Sequence, residues 1–108
     1  IIVAILTGEN SDVVLARAEK LEIDEVYVNE HEKLKRLTYL TKKYEISMDE
    51  VAFIGDDVND LEVLRVVGLS ALSGNSPILD KFSPDYVTTR NGGNGAFREF
   101  ADIILNTK

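Results

Sequence analysis

The chain has 108 residues, 44% of them hydrophobic and 29% charged, with a net charge of −7 and a mean hydropathy of −0.06. That length sets the expectation of a single domain over residues 1–108 with a real but small core. The acidic balance without a basic patch argues against a nucleic-acid partner, and no apolar run is long enough to suggest a membrane partner; zero cysteines exclude disulfides and thiol chemistry, and one histidine makes histidine-based zinc sites improbable.

Residues 1–6 read as a buried strand by run length and β-branched content. A chain that opens without Met, on what reads as a central strand, carries the expectation of a missing N-terminal piece. Residues 7–11 form the turn at that strand's carboxyl end, where Asn10 or Ser11 can cap a helix running to about Leu21. Val14, Ala18 and Leu21 share one face of it, and Arg17 and Lys20 lie on a different stripe. Residues 26–28 read as a second strand, and residues 31–44 as a helix with Leu34, Leu37 and Leu40 in register and Lys33 in its first turn. Ser47 and Glu50 have capping-box spacing before the strand at 51–54, which reads as buried on both faces.

A helix is expected from Asp57 to Val67 with Val58, Leu61 and Leu64 inward, stopped by Gly68. Residues 69–72 read as a strand, Ser76 and Pro77 open a helical turn towards Phe82, and residues 85–88 read as the last strand. After the 92–95 loop, a final helix should turn Phe97, Phe100, Ala101 and Ile104 inward. Strands alternating with helices make the class α/β with a mostly parallel sheet.

In such sheets ligands bind beyond the carboxyl ends of the strands, where this chain places Gly55-Asp56-Asp57. Acidic residues there, with no base among them, are most simply explained by a hard cation, Mg²⁺ first, held with a substrate phosphate. Asp56 at the strand tip reads as the ligand. Asp57 reads equally as a ligand or as a helix cap, and Asp60 either orients the ligand sphere or simply favours a helix N-terminus. Thr7 and Gly8 at another tip can hold a phosphate oxygen or form a plain turn. Lys33 opposes the dipole of its own helix, so it is either an anchor for a phosphate or a solvated lysine. Gly92, Gly93 and Gly95 can let backbone approach a ligand or can simply turn; His31 reads as a surface residue beside these groups.

Taken together, the segments resemble the haloacid dehalogenase superfamily of phosphotransferases. Ile5-Leu6-Thr7-Gly8 matches its second motif, Lys33 its third, and Ile54-Gly55-Asp56-Asp57-Val58-Asn59-Asp60 its fourth. The ending Gly92-Gly93-Asn94-Gly95-Ala96-Phe97-Arg98-Glu99 is similar to the cap-less branch of phosphatases of eight- and nine-carbon 3-deoxy-2-keto sugar acids. The resemblance implies a Rossmann-like, mostly parallel sheet flanked by helices, lacking its first strand and hairpin, and a cytoplasmic enzyme that is a homotetramer when intact. It implies Mg²⁺ on Asp56, Thr7, Gly8 and Lys33 on the phosphoryl group, and Asp57 and Asp60 in support. It also implies an Asp nucleophile and an Asp acid–base two residues later, and no Asp in this chain has another Asp two positions on. The chain is therefore expected to be the inactive carboxyl-terminal part of a phosphatase.

Glu9, where the eight-carbon enzymes tend to carry Arg, resembles the nine-carbon branch when taken with Arg17 and Lys20. These three would meet the sugar hydroxyls and carboxylate, or else form a solvated helix face. The competing readings are a non-catalytic oligomerising domain attached to a sugar-acid cytidylyltransferase, and a receiver- or flavodoxin-like binding domain.

Overall fold

A computed structural model describes residues 2–8, 12–55, 57–91 and 95–106, the side chains of residues 13, 14, 17 and 105 excepted. The chain forms two compact units, Ile1–Arg36 and Leu37–Lys108.

In the first unit, strand β1 (Ala4–Leu6) leads through helix α1 (Asp12–Lys20) to strand β2 (Glu25–Tyr27). The two strands pair in parallel, Ala4 opposite Glu25 and Leu6 opposite Tyr27. This register begins only at Ala4, so Ile2 and Val3 have no partner on β2 and are 53% and 38% exposed. The strand is accordingly shorter than the apolar run suggested, and half-buried where full burial was expected. Helix α1 turns Ala18 inward, but Leu21 lies past its end and is 62% exposed. The chain reverses there through Glu22 at φ 57°, with Ile23 N–H donating to the Ala18 carbonyl at 2.9 Å and Glu22 N–H to the Glu19 carbonyl at 3.1 Å. That is a Schellman ending, with Glu in the left-handed position glycine usually takes.

Helix α2 (Lys33–Lys43) starts at the end of the first unit and continues into the second, burying Leu37, Leu40 and Thr41. It ends in the same way: Glu45 has φ 54°, and Ile46 N–H reaches the Thr41 carbonyl at 2.9 Å. A 3-10 turn at Met48–Glu50 follows, with Glu50 reaching back to accept the Ser47 N–H at 3.1 Å, as the capping-box spacing predicts.

The second unit is built on strands β3 (Ala52–Gly55), β4 (Leu69–Leu72) and β5 (Tyr86–Val87), ordered β3-β4-β5 and all parallel. Pairing runs from Ala52–Leu69 to Gly55–Leu72 and from Ala71–Tyr86 to Leu72–Val87. β4 is central, and Ala71 and Leu72 are fully buried. β3 is an edge of this sheet among the described residues, so Ala52 is exposed and Phe53 and Ile54 are only half-buried. The core joins Leu64, Leu72 and Ile78, with Phe53, Leu61 and Phe82 packed against it. The Asp85 carboxylate accepts the Ser70 N–H at 2.9 Å, so a side chain replaces ladder pairing and β5 starts one residue later than expected.

Between β3 and β4 the expected long helix is a 3-10 turn (Val58–Asp60) followed by one turn of α-helix, α3 (Leu61–Leu64). The tighter winding moves Val58 out of register, to 50% exposure, and brings Val63 in at 1%. Helix α4 (Ala96–Asn106) buries Ala96 and Phe100, four residues apart, and leaves Phe97 51% exposed. Phe100 is inward as expected, with Ala101 and Ile104 half-buried; only Phe97 fails, its place on the stripe taken by Ala96.

A left-handed Glu is a local strain that glycine relieves, partly offset by the greater freedom of glycine in the unfolded chain. Glu45→Gly is expected to raise stability by a few tenths to about 1 kcal/mol in urea unfolding. Glu45→Ala, which keeps a Cβ, should give no gain; equal effects of the two would remove the strain argument.

Candidate active site

In the first unit the tip of β1 is tied to the segment that delivers Lys33. The Thr7 N–H donates to the Tyr27 carbonyl at 3.0 Å and extends the β1–β2 ladder; the Thr7 carbonyl then accepts the Glu30 N–H at 2.7 Å. Between these contacts Asn29 adopts φ 54°, a conformation Asn tolerates better than most residues. The turn folds over Gly8, where a Cβ would lie 3.6 Å from Nδ1 of His31, and His31 Nε2 pairs with Asn29 Oδ1 at 3.0 Å.

Glu30 also reaches forward: its carboxylate accepts the Arg36 Nε–H at 2.8 Å, and the Arg36 guanidinium lies 4.2 Å from the centroid of the Tyr27 ring. The Arg36 hydrogen bond holds the Glu30 carboxyl below its usual range. The Tyr27 hydroxyl in turn donates to the buried Glu25 at 2.6 Å. Helix α2 therefore starts at Lys33 from a turn clamped on both sides, and Lys33 is half-buried, which is less exposure than a fully solvated lysine has. A lysine there, a tip hydroxyl at Thr7 and the N–H of Gly8 are suited to the oxygens of a phosphate.

In the second unit β3 ends on Gly55. A Cβ at that position would lie 2.8 Å from both Cβ and Oδ2 of Asp60, so only glycine lets the carboxylate fold under the tip. Asp60 is 2% exposed, and its Oδ2 accepts the Asp57 N–H at 3.3 Å. Asp57 is extended at φ −138° and its Oδ1 accepts the Val58 N–H at 2.7 Å, which is a helix-capping geometry. Asp60 is a brace beneath the tip. One strand over, the Ser73 N–H donates to the Gly55 carbonyl at 3.4 Å. Ser73 is 2% exposed, and its Oγ is the one buried side-chain oxygen or nitrogen, among the described residues, without a hydrogen-bond partner.

Thr7, Gly8 and Lys33 thus belong to the first unit, and Asp57 and Asp60 to the second. Asp56, Glu9 and residues 92–94 lie outside the described residues, as does the side chain of Arg17; Lys20 is exposed at the end of α1. No three His, Cys, Asp or Glu side chains converge among the described residues.

One clamp went unassigned in the sequence. Glu99, on the first turn of α4, accepts the Tyr86 hydroxyl, the Thr89 N–H and the Thr89 hydroxyl, each at 2.8 Å, and the Arg90 N–H at 2.9 Å. Partial burial favours its neutral form, but the donors on Thr89, Tyr86 and Arg90 outweigh that and hold the carboxyl at about 2. Gly95, at φ 93°, allows α4 to begin beside the Arg90 side chain. No spacing rule marks Glu99, because its donors come from a loop that only the fold brings near.

Residues 2–100 match the haloacid dehalogenase-like hydrolase family. The chain is similar to the 3-deoxy-D-manno-octulosonate 8-phosphate phosphatase of Haemophilus influenzae, 34% identical over 98% of this chain and 59% of that protein. Its counterpart from Escherichia coli (strain K12) is 40% identical over 95% of this chain and 55% of that protein. Among solved structures, the Moraxella catarrhalis phosphatase of the same name, in complex with magnesium ion, phosphate ion and a KDO molecule, superposes with TM-score 0.93 at 40% identity. That match covers 100% of this chain and 62% of that one. The cobalt-bound Haemophilus influenzae enzyme gives TM-score 0.85 at 34% identity, covering 95% and 60%. The chain thus spans a little over half the length of these relatives.

The Glu99 clamp has a direct acid signature. Its folded-state pKa of about 2 lies below the ordinary 4.5, so its contribution is fully present above pH 4.5 and is lost as pH falls from there through about 2. Glu99→Gln should lower stability at neutral pH and flatten the acid unfolding curve across that window. An unchanged slope by circular dichroism would remove the clamp from the account.

Proposed function

Because this chain belongs to the haloacid dehalogenase-like hydrolase family, we propose that the protein it represents is a Mg²⁺-dependent phosphatase of a 3-deoxy-2-keto sugar acid phosphate. The observation that carries this reading is the clamp in the first unit, which holds the Thr7–Gly8 tip against the turn that begins α2 on Lys33. The names of the similar proteins support the substrate class, and their magnesium- and cobalt-bound structures support the cation.

The donor chemistry fits Mg²⁺: two aspartates follow Gly55 directly in the sequence, no thiolate competes, and such ions are held by one or two carboxylates together with substrate phosphate. In this proposal Asp56 is the metal ligand, Asp57 shapes the turn behind it, and Asp60 fixes the tip from below. Thr7, Gly8 and Lys33 bind the phosphoryl oxygens and stabilise the charge that develops during transfer. When bound, the cation neutralises phosphoryl charge as the P–O bond breaks.

The chain contains no Asp-x-Asp pair, so the nucleophile and the acid–base come from sequence beyond these residues, and the 108-residue chain by itself does not turn over. We place the intact enzyme in the cytoplasm as a homotetramer. The similar proteins act, by name, on the eight-carbon compound, which makes it the first substrate to try. Glu9, Arg17 and Lys20 favour a nine-carbon sugar acid as the second, by offering a hydroxyl acceptor and two cations for the carboxylate.

In the intact protein, Asp56→Ala is expected to abolish Mg²⁺-dependent phosphate release, and Lys33→Met to lower kcat about 100-fold or more. Undiminished turnover in Asp56→Ala would end the metal assignment. Assays of both sugar acid phosphates in Lys20→Ala should show KM rising about 10-fold for the true substrate alone. An equal loss on both, or none, would remove Lys20 from recognition.

A further inference from the structure

We propose that Arg36 is a positioning residue for phosphoryl transfer, closing a circuit of contacts that sets the direction of Lys33 relative to the Thr7 tip; this rests on the phosphate site proposed above. Thr7, Tyr27, Arg36 and Glu30 are linked in turn. The Thr7 N–H donates to the Tyr27 carbonyl at 3.0 Å, and the Thr7 carbonyl accepts the Glu30 N–H at 2.7 Å. Arg36 joins the two far ends: its Nε–H donates to the Glu30 carboxylate at 2.8 Å, while its guanidinium lies 4.2 Å from the centroid of the Tyr27 ring. Without that side chain the circuit is open. The Tyr27 ring is steadied in turn by its hydroxyl, which donates to the buried Glu25 at 2.6 Å, and the Glu30 carboxylate also accepts the Glu32 N–H at 3.3 Å.

The Arg36–Glu30 pair differs from an ordinary surface ion pair in both geometry and position. The Lys35–Glu32 and Arg98–Asp102 pairs span 3.9 Å with every side chain more than half exposed. Pairs of that kind contribute little. The Arg36 and Glu30 side chains are only 36% and 15% exposed, and they bond at 2.8 Å. Arg36 also follows Lys33 by three residues on α2, so the two are neighbours on the helix surface. Held by its edge on Glu30 and by its face on Tyr27, the flat guanidinium restricts rotation of the first turn of α2. The rotation of that turn decides the direction in which Lys33 leaves the helix. No acidic residue in the first turn helps to place it, so the constraint comes from the circuit. Transfer depends on where the cation stands, and a displacement of about 1 Å can cost about 100-fold in rate. Glu30 also neutralises the guanidinium, so Arg36 does not compete with Lys33 for the phosphate.

The test is a double-mutant cycle between Arg36 and Lys33 in the intact protein with MgCl₂. Arg36→Met is expected to lower kcat about 10-fold with an unchanged circular dichroism spectrum. In a Lys33→Met background the same change should cost less than about 2-fold, because a residue that acts through Lys33 has nothing left to position. Calorimetric affinity for inorganic phosphate, which needs no turnover, should show the same non-additivity. Arg36→Lys, which keeps the charge without the flat fork, should stay impaired. Should Arg36→Met fail to fold, Glu30→Ala opens the circuit from its other side and carries the same cycle. Equal losses in both backgrounds overturn the proposal, since Arg36 would then serve the fold at large. So does unchanged kcat in Arg36→Met, or full activity in Arg36→Lys. A wild type that neither releases phosphate from a sugar acid phosphate nor binds inorganic phosphate would instead overturn the phosphatase reading, so the two failures are separable.

Discussion

The close approach of the Asp60 carboxylate to Gly55 governs how β3 ends. With no side chain at Gly55, Asp60 folds back beneath the strand and takes the Asp57 N–H, while Asp57 caps the turn in front of it. A buried carboxylate is tolerable only where donors meet it, and the backbone of the turn supplies one. This pairing makes the connection from β3 a tight 3-10 turn, which in turn decides that Val63 and Leu64 face the core and Val58 faces out. Local electrostatics at the tip thus sets the packing behind it.

The first unit holds its strand tip by different contacts among the described residues. Its strand end is held by backbone, through Thr7 and Glu30, and side chains then secure the returning turn: Glu30 on Arg36, Arg36 on Tyr27, Tyr27 on Glu25. Each member uses a polar end for bonding and, in Arg36 and Tyr27, a flat face for stacking. A lysine at the start of a helix is opposed by the helix dipole, and a turn clamped in this way keeps it there regardless. In the proposed enzyme that residual positive field is what an incoming phosphate would meet.

Much of this was legible in the sequence. The alternation of strands and helices, the extent of β4, the Ser47–Glu50 box and the position of Lys33 all follow from local spacing, because local hydrogen bonds and periodicity determine them. The errors came where a tertiary contact overruled a local pattern. An apolar run at 1–6 reads as a strand buried on both faces, yet pairing with β2 starts only at Ala4. Phe97 fits the inward stripe of α4 as well as Ala96 does, until the Glu99 clamp fixes how the helix is turned. The site divides in the same way. Its chemistry was carried by residue types at strand tips, whereas Gly55 against Asp60 and the unpaired Ser73 are matters of three-dimensional proximity that no spacing encodes.

The bond from Tyr86 to Glu99 has a second face, on the alkaline side. Its hydrogen bond to Glu99 raises the Tyr86 phenol above the ordinary 10.0, since losing the proton would set two anions against each other. The stabilisation this phenol provides is present below 10.0 and disappears as pH climbs through its raised value. Acid discharges Glu99 and alkali charges Tyr86, so the two ends of the titration break the same joint by opposite means. The direct bond from β5 to helix α4 therefore persists only within a proton window bounded by Tyr86 and Glu99, while above that window the Thr89 and Arg90 donors still hold Glu99. Ultraviolet absorbance of the phenolate, in a chain without tryptophan and with only four tyrosines, would report the upper bound directly.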